Sequence, residues 1–232
     1  MNYYFLLEDE KSFIKVLPKW LEYMGFYNKR VADISEITED CYVMQSGQGV
    51  TQLITRALFQ TIDTIFQNAG KVDQLIVILD SEQYNVEYRK NEVKKKIEDY
   101  VENQCIKLDF TYKIFVCNHC FETWLLGNSS LFPSDNVGKN KSFWIYYNHY
   151  NVKENDPENM LPPIDVHETI ASYHFHYLHE LCRYNRIKYT KKKPEIMSQK
   201  SYFDEIVKRI NSTPHLKSFC EFYNYFTSLE TV

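Results

Sequence analysis

The sequence predicts an α/β fold, in which a parallel or mostly parallel sheet is flanked by helices and followed by a mainly helical C-terminal part. Short apolar runs alternate with longer amphipathic stretches through the first 125 residues, and strands that alternate with helices form parallel sheets. The run at residues 74–79 is apolar without alternation, which is typical of a strand buried on both faces. Acidic residues also stand at or just after the ends of the predicted strands.

The first part of the chain contains four predicted strands, each followed by a predicted helix. Apolar residues at helical spacing predict the helix at 12–25, and Pro18 predicts a kink in it or a division into two short helices. Glycines at 25 and 70 mark the ends of two helices. The strands are predicted at 3–7, 41–44, 74–79 and 112–116, and the helices at 12–25, 50–69, 86–104 and 121–126.

The second part of the chain is predicted to be irregular at 128–165 and then helical at 166–186, 202–213 and 216–229. The balance of basic and acidic side chains also changes along the chain. Residues 1–182 contain 17 basic and 26 acidic side chains, whereas residues 183–217 contain 10 and 3. We therefore divide the chain into a core at 1–127 and a helical C-terminal region at 128–232, with a basic segment at 183–193.

Composition excludes several classes of protein. The chain has 232 residues, of which 44% are hydrophobic, and its 6 glycines and 7 prolines are too few for a collagen-like or disordered chain. No apolar run is long enough to span a membrane, so no membrane partner is expected. The N-terminus does not resemble an export signal, and six cysteines are too sparse for a disulfide scaffold. We therefore expect a cytoplasmic protein with reduced thiols.

Four acids predict the functional site, namely Glu8, Asp80, Glu82 and Glu122. Parallel sheets bind ligands beyond the carboxyl ends of their strands, where these acids are expected to lie. Mg²⁺ and Mn²⁺ prefer such oxygen ligands and can activate water for attack on a phosphoryl group. The alternative is that acids follow strands because strands end at a solvated edge. Their occurrence after three different strands favours a shared metal site.

Three segments resemble the motif series of TOPRIM-domain nucleases, and most closely the OLD-like and RloB-like groups of bacterial defence proteins. They are the segments 6–12 (LLEDEKS), 78–82 (ILDSE) and 117–126 (CNHCFETWLL). The resemblance implies a TOPRIM-like sheet over residues 1–127. The chain departs from the family pattern at Asp9, where a glycine is usual, and at Glu82, where an aspartate is usual.

The resemblance also implies roles for the four acids. Glu8 would act in acid–base chemistry or metal binding, Asp80 and Glu82 would hold Mg²⁺ or Mn²⁺, and Glu122 would be a further acidic ligand. The catalytic residues would then be Glu8 and Asp80. The implied activity is a metal-dependent nuclease that hydrolyses phosphodiester bonds of DNA or RNA, including tRNA. The resemblance alone places it in antiviral defence, with a separate ATPase sensor as a possible partner.

Two other functions stay open. Asp9 and Glu82 favour a catalytically degenerate subunit that binds or scaffolds and partners an ATPase. A topoisomerase- or primase-type enzyme could use the same acids, but the chain is small and has no obvious context for a catalytic tyrosine.

The basic segment is a candidate nucleic-acid surface. Its cationic side chains can neutralise phosphates, and its tyrosines at 184 and 189 can stack on bases. The alternative is an ordinary solvated helix end and loop. The candidate residues are Arg183, Arg186, Lys188, Lys191, Lys192 and Lys193.

Other motifs carry weaker signals. Cys117 and Cys120 have the spacing of a zinc knuckle or a redox dithiol, but a closed zinc site needs four ligands and no second pair follows. The histidines at 174, 176 and 179 fit an amphipathic helix, and His215 fits a helix start. Gly47 and Gly49 fit a tight turn better than an anion-binding loop.

Overall fold

The computed structural model describes residues 1–133 and 141–229. Its described residues form a five-stranded parallel sheet with the strand order β2-β3-β1-β4-β5, flanked by helices. The predicted α/β class is confirmed, and the general shape fits the TOPRIM-like description. The strands are β1 (Tyr3–Leu7), β2 (Lys29–Arg30), β3 (Cys41–Ser46), β4 (Gln74–Asp80) and β5 (Thr111–Cys117).

Helices cover both faces of the sheet. The helices are α1 (Phe13–Tyr23), α2 (Val50–Gln52), α3 (Leu58–Gln67), α4 (Val86–Asn103), α5 (Phe121–Leu125), α6 (Lys141–His149), α7 (Ile170–Tyr184), α8 (Lys200–Ser212) and α9 (Lys217–Ser228). Alternate residues of each strand enter two separate cores. One core joins the sheet to α1, α5 and the C-terminal helices, and the other joins it to α3 and α4.

The C-terminal helices pack directly on the sheet. Phe226 of α9 stacks on Phe5 of β1 with ring centroids 6.0 Å apart, and Phe222 meets Phe115 of β5 edge to face at 5.3 Å. All four rings are buried. Buried aromatic pairs of this kind add to the free energy of burying their apolar area. Residues before and after position 127 therefore share one core.

The predicted elements match the structure closely, and the main differences are the following. Pro18 lies inside the single helix α1, which does not divide into two. The chain passes from α2 to α3 through a π-helical turn, Leu53–Ala57, where one uninterrupted helix was expected. The two-residue strand β2 was not predicted. Helix α6 lies within the stretch predicted to be irregular. Residues 134–140 of that stretch, and residues 230–232, lie outside the described residues.

In the part of the chain that the structure describes, no helix is both long enough and apolar enough to cross a membrane.

Candidate functional site

The sheet topology creates a crevice at the carboxyl ends of β1 and β4. These strands are neighbours, with Leu7 paired to Ile78. The helix after β1, α1, packs on one face of the sheet, whereas the helix after β4, α4, packs on the other. The chain therefore leaves the two strands in opposite directions, which opens a crevice of the kind where α/β proteins bind ligands.

A pocket of about 470 Å³ occupies this crevice. Acidic side chains from the ends of three neighbouring strands line it, together with one lysine from a distant part of the chain. We call it the acid pocket. Its lining residues are Glu8, Asp9, Glu10, Lys11, Ser12, Phe13, Gln48, Gly49, Asp80, Phe121, Glu122 and Lys191.

Glu8 is held across the ends of β1 and β4. Its backbone N–H donates to the Ile78 carbonyl at 3.0 Å, and its Oε2 accepts the N–H of Asp80 at 2.6 Å. Burial raises the pKa of Glu8 to about 7; the Asp80 N–H opposes the shift, and the carboxylates of Glu82 and Asp9 add to it. A carboxyl group with such a pKa can exchange a proton near neutral pH.

Asp80 is the last residue of β4 and is only 8% exposed. Its Oδ1 is buried and has no hydrogen-bond partner among the described residues. Burial, and then the nearby Glu8 and Glu122, raise the pKa of Asp80 well above its ordinary value. An unpaired buried carboxylate oxygen is costly, so this atom is a candidate ligand for a cation.

Glu122 lies in the first turn of α5 and is 1% exposed. Its Oε1 accepts the hydroxyl of Tyr189 at 3.2 Å and lies 3.3 Å from Lys191 Nζ. Its Oε2 is buried without a hydrogen-bond partner in residues 1–133 and 141–229. Glu122 and Asp80 thus each present one unpaired oxygen inside the protein, and both line the acid pocket.

Lys191 enters the acid pocket from the loop between α7 and α8. Residues Thr190 and Lys193 bridge to close a tight turn, and Lys15 of α1 donates to the Lys192 carbonyl. Burial disfavours the charged ammonium, but the carboxylates of Glu122 and Asp80 outweigh it and raise the pKa of Lys191. Lys191 is therefore a cation at every physiological pH.

Glu82 is the one predicted acid that does not line the acid pocket. It has a left-handed backbone (φ 54°), its side chain is 52% exposed, and its carboxylate lies 3.7 Å from Arg89 Nη2. The structure thus brings together Glu8, Asp80 and Glu122, while Glu82 faces the first turn of α4.

Asp9 has a structural contact that its sequence position alone did not suggest. Its Oδ1 accepts the backbone N–H groups of Lys11, Ser12 and Phe13 at 3.0–3.2 Å, and its Oδ2 accepts the Ser12 hydroxyl at 2.8 Å. Only the Phe13 N–H belongs to α1, and the other two precede the helix, so this carboxylate fixes the turn that leads into α1 and caps its first residue. Asp9, which stands where TOPRIM nucleases usually have a glycine, therefore anchors the loop that carries Glu8.

The candidate nucleic-acid residues separate into two groups. Lys191 points into the acid pocket, whereas the other five are exposed. Arg183 lies 3.5 Å from the Glu180 carboxylate on the surface of α7. The other four exposed candidates lie on the loop after α7, and they are Arg186, Lys188, Lys192 and Lys193.

Cys117 and Cys120 are buried free thiols at the junction of β5 and α5. Burial raises the pKa of both well above the ordinary value, so the thiolate that zinc or redox chemistry needs is disfavoured. His174 is also buried, between Thr123 Oγ1 at 2.8 Å and the Met160 carbonyl at 2.9 Å. Burial lowers its pKa to about 3, so it is a neutral core residue.

The acid pocket is a candidate site for a cation that needs few protein ligands. Within the described residues, no group of three or more His, Cys, Asp or Glu side chains is arranged so that it could hold a metal ion. Mg²⁺, however, usually keeps several waters and uses only one or two carboxylates with the phosphates of a substrate. Asp80 and Glu122, with their unpaired oxygens, supply such a pair.

Tyr189 was expected to stack on bases as part of the basic segment, but the structure buries it beside Glu122. It is 3% exposed and hydrogen-bonds to Glu122 across 67 positions of the chain. No local pattern links the two residues; the only signal was that Tyr189 lies among the lysines of the basic segment.

No protein-family model matches this chain, and neither a curated protein nor a solved structure matches it.

Proposed function

We propose that this protein is a divalent-metal-dependent hydrolase that cleaves phosphodiester bonds of DNA or RNA. One observation carries the proposal: Glu8, Asp80 and Glu122, from the ends of the adjacent strands β1, β4 and β5, line a single pocket. Asp80 and Glu122 each keep a buried oxygen unpaired there. The pKa values of Glu8 and Asp80 are raised, and buried acids with perturbed pKa values are typical of catalytic and metal sites.

Asp80 and Glu122 would hold Mg²⁺ or Mn²⁺, and phosphate and water would complete its coordination. When bound, the ion would stabilise the negative charge that develops on the phosphoryl oxygens. Glu8 would accept a proton from the attacking water at Oε1, because its Oε2 already accepts the Asp80 N–H. Its pKa of about 7 suits that role at neutral pH.

The exposed lysines of the loop after α7 would bind the phosphate backbone of the substrate. Lys188, Lys192 and Lys193 are exposed on the same loop that brings Lys191 into the acid pocket. Nucleic-acid binding by such side chains weakens steeply as salt rises. A role in antiviral defence, beside a separate ATPase, is supported only by the resemblance of three short segments to TOPRIM nucleases.

The proposal is tested by cleavage of single- and double-stranded DNA and of RNA, including tRNA, with Mg²⁺ or Mn²⁺. Asp80→Asn and Glu8→Gln should each lower the cleavage rate by a factor of about 100 or more, the typical size of a lost proton-transfer or charge-stabilising group. Glu87→Gln is the matched control, because Glu87 is exposed on α4, and it should cleave at the wild-type rate. Cleavage that persists in both pocket variants would reject this site.

Glu82→Gln tests the second acid that the TOPRIM resemblance implies. Because Glu82 lies beside Arg89 rather than in the pocket, we expect this variant to keep most of its activity. A loss as large as that of Asp80→Asn would mean that Glu82 turns inward when the metal binds.

A catalytically degenerate binding or scaffolding subunit is the second candidate function. The contact between the Lys191 ammonium and Glu122 favours it, since this contact partly neutralises the acids that would hold a metal. If the wild-type protein cleaves none of these substrates with either metal, this result would support a binding or scaffolding function.

A further inference from the structure

Lys191 supplies a positive charge at the place where the proposed function requires a metal ion. Its Nζ lies 3.3 Å from Glu122 Oε1, and its charge also interacts with Asp80. Its side chain is 42% exposed. It is a lysine of the basic segment, yet it pairs with a carboxylate that is 1% exposed.

Lys191 does not provide a hydrogen bond to every buried carboxylate oxygen around it. Asp80 Oδ1 and Glu122 Oε2 are both buried and lack a hydrogen-bond partner in the described part of the chain. An ammonium carries one charge and three donors, whereas a divalent ion carries twice the charge and can bind several oxygens at once. The pocket is therefore better suited to a divalent ion than to Lys191.

The loop that carries Lys191 is anchored on both sides of a small turn. Trp20 Nε1 donates to the Met197 carbonyl at 2.9 Å, and Tyr189 OH donates to Glu122. Between these anchors, Thr190 to Lys193 form a tight turn with Lys192 and Lys193 exposed. A movement of this turn would withdraw the Lys191 ammonium and leave the two anchors in place, and it would break the contact of Lys15 with the Lys192 carbonyl.

We propose that Lys191 is a built-in counter-ion that competes with a divalent cation for the acid pocket, so that binding of the ion requires the ammonium to withdraw. The inference rests on the proposed function and adds a means of controlling it. Two cations held by the same carboxylates repel each other strongly in a partly buried site. The lysine lowers the affinity of the pocket for the metal and keeps the acids together when no metal is bound.

The test is a measurement of Mn²⁺ affinity at pH 8, by isothermal titration calorimetry and by the electron paramagnetic resonance signal of free Mn²⁺, on the full chain without substrate. Lys191→Met removes the charge and keeps much of the side-chain volume, so Mn²⁺ should bind roughly tenfold more tightly or better. Lys191→Arg keeps the charge in a form that pairs well with carboxylates, and should bind Mn²⁺ no more tightly than wild type. If Lys191→Met does not fold, Lys191→Gln, which also removes the charge, takes its place and should likewise bind Mn²⁺ more tightly than wild type.

Lys193→Met is the matched control, since it removes the same charge from an exposed position two residues further along the same turn. Its Mn²⁺ affinity should stay within about twofold of wild type, because exposed charges are screened by solvent. Equal or weaker Mn²⁺ binding by Lys191→Met overturns the counter-ion proposal but leaves the proposed function standing. No Mn²⁺ binding by any of the four proteins overturns both.

Discussion

At the scale of single residues, the three buried acids of the pocket differ in the partners that their carboxyl groups contact. Glu8 accepts a backbone N–H, Glu122 accepts Tyr189 and meets Lys191, and Asp80 Oδ1 has no partner among the described residues. Burial and neighbouring carboxylates raise the pKa of Glu8 to about 7 and that of Asp80 well above its ordinary value. These shifts follow from contacts between distant segments, and local sequence does not encode them.

The raised pKa of Glu8 predicts a pH-dependent effect on stability. The folded protein holds this proton up to a pH of about 7, whereas the ordinary pKa of the group is 4.5. The native state therefore pays no ionisation penalty below pH 4.5 and acquires it as the pH rises toward 7. Glu8→Gln cannot ionise, so its stability relative to wild type should be unchanged near pH 4 and higher by about 3 kcal/mol at pH 8.

Urea unfolding of both proteins across this pH range gives the difference directly. Taking the difference cancels the contributions of titrating groups that do not interact with Glu8, such as the buried His174. A difference in the free energy of unfolding that does not change with pH would contradict the shifted pKa.

At the scale of elements, the loop between β1 and α1 positions the first acid of the pocket. Asp9 holds three N–H groups at the start of α1, and its neighbour Glu8 reaches over β4. A capping carboxylate of this kind contributes roughly 1 kcal/mol, and up to about 2 in favourable cases. The aspartate thus stabilises the helix and the loop together.

Asp9→Ala should lower the free energy of unfolding by about 1–2 kcal/mol through loss of this cap. Asp9→Asn keeps an acceptor oxygen, so its free energy of unfolding should fall by less than half as much as that of Asp9→Ala. Thermal or urea unfolding distinguishes the two variants. Equal losses in both would mean that the negative charge of Asp9, rather than its hydrogen bonds, stabilises α1.

Most elements could be predicted from the sequence because their apolar residues follow the period of a strand or a helix. Helix α6 could not, since aromatic or apolar residues fill all five positions from 143 to 147 and leave no amphipathic pattern. The π-helical turn also has no period of its own. For the site, the position of acids after strands predicted Glu8, Asp80 and Glu122, but the outward turn at Glu82 and the approach of Lys191 depend on tertiary contacts.

At the scale of the whole molecule, the C-terminal helices share one core with α1, α5 and one face of the sheet. Trp20 of α1 and Trp124 of α5 are fully buried and both contact Phe219 of α9. Elements that bury one another's apolar faces in this way unfold together. The division of the chain at residue 127 therefore describes its secondary structure and not a boundary between separate cores.

Phe226→Ala tests this cooperativity. Phe226 is fully buried against Phe5 and Phe115, and its truncation should cost about 3–5 kcal/mol. Tyr27→Ala, at a side chain that is 77% exposed, should cost less than about 0.5 kcal/mol. Urea unfolding followed by tryptophan fluorescence and by far-ultraviolet circular dichroism should give coincident transitions in all three proteins. Separate transitions would indicate two independent units.

The pairing of β1 with β4 limits how the chain can change in evolution. Glu8 and Asp80 are 72 positions apart, yet they meet because Leu7 pairs with Ile78. Insertions or deletions in the surface loops between the two strands would leave that pairing intact. A single deletion inside β1 would turn Glu8 to the opposite face of the sheet. Divergent descendants of this chain can therefore vary in length between the strands, while the spacing from Tyr3 to Glu8 must stay constant.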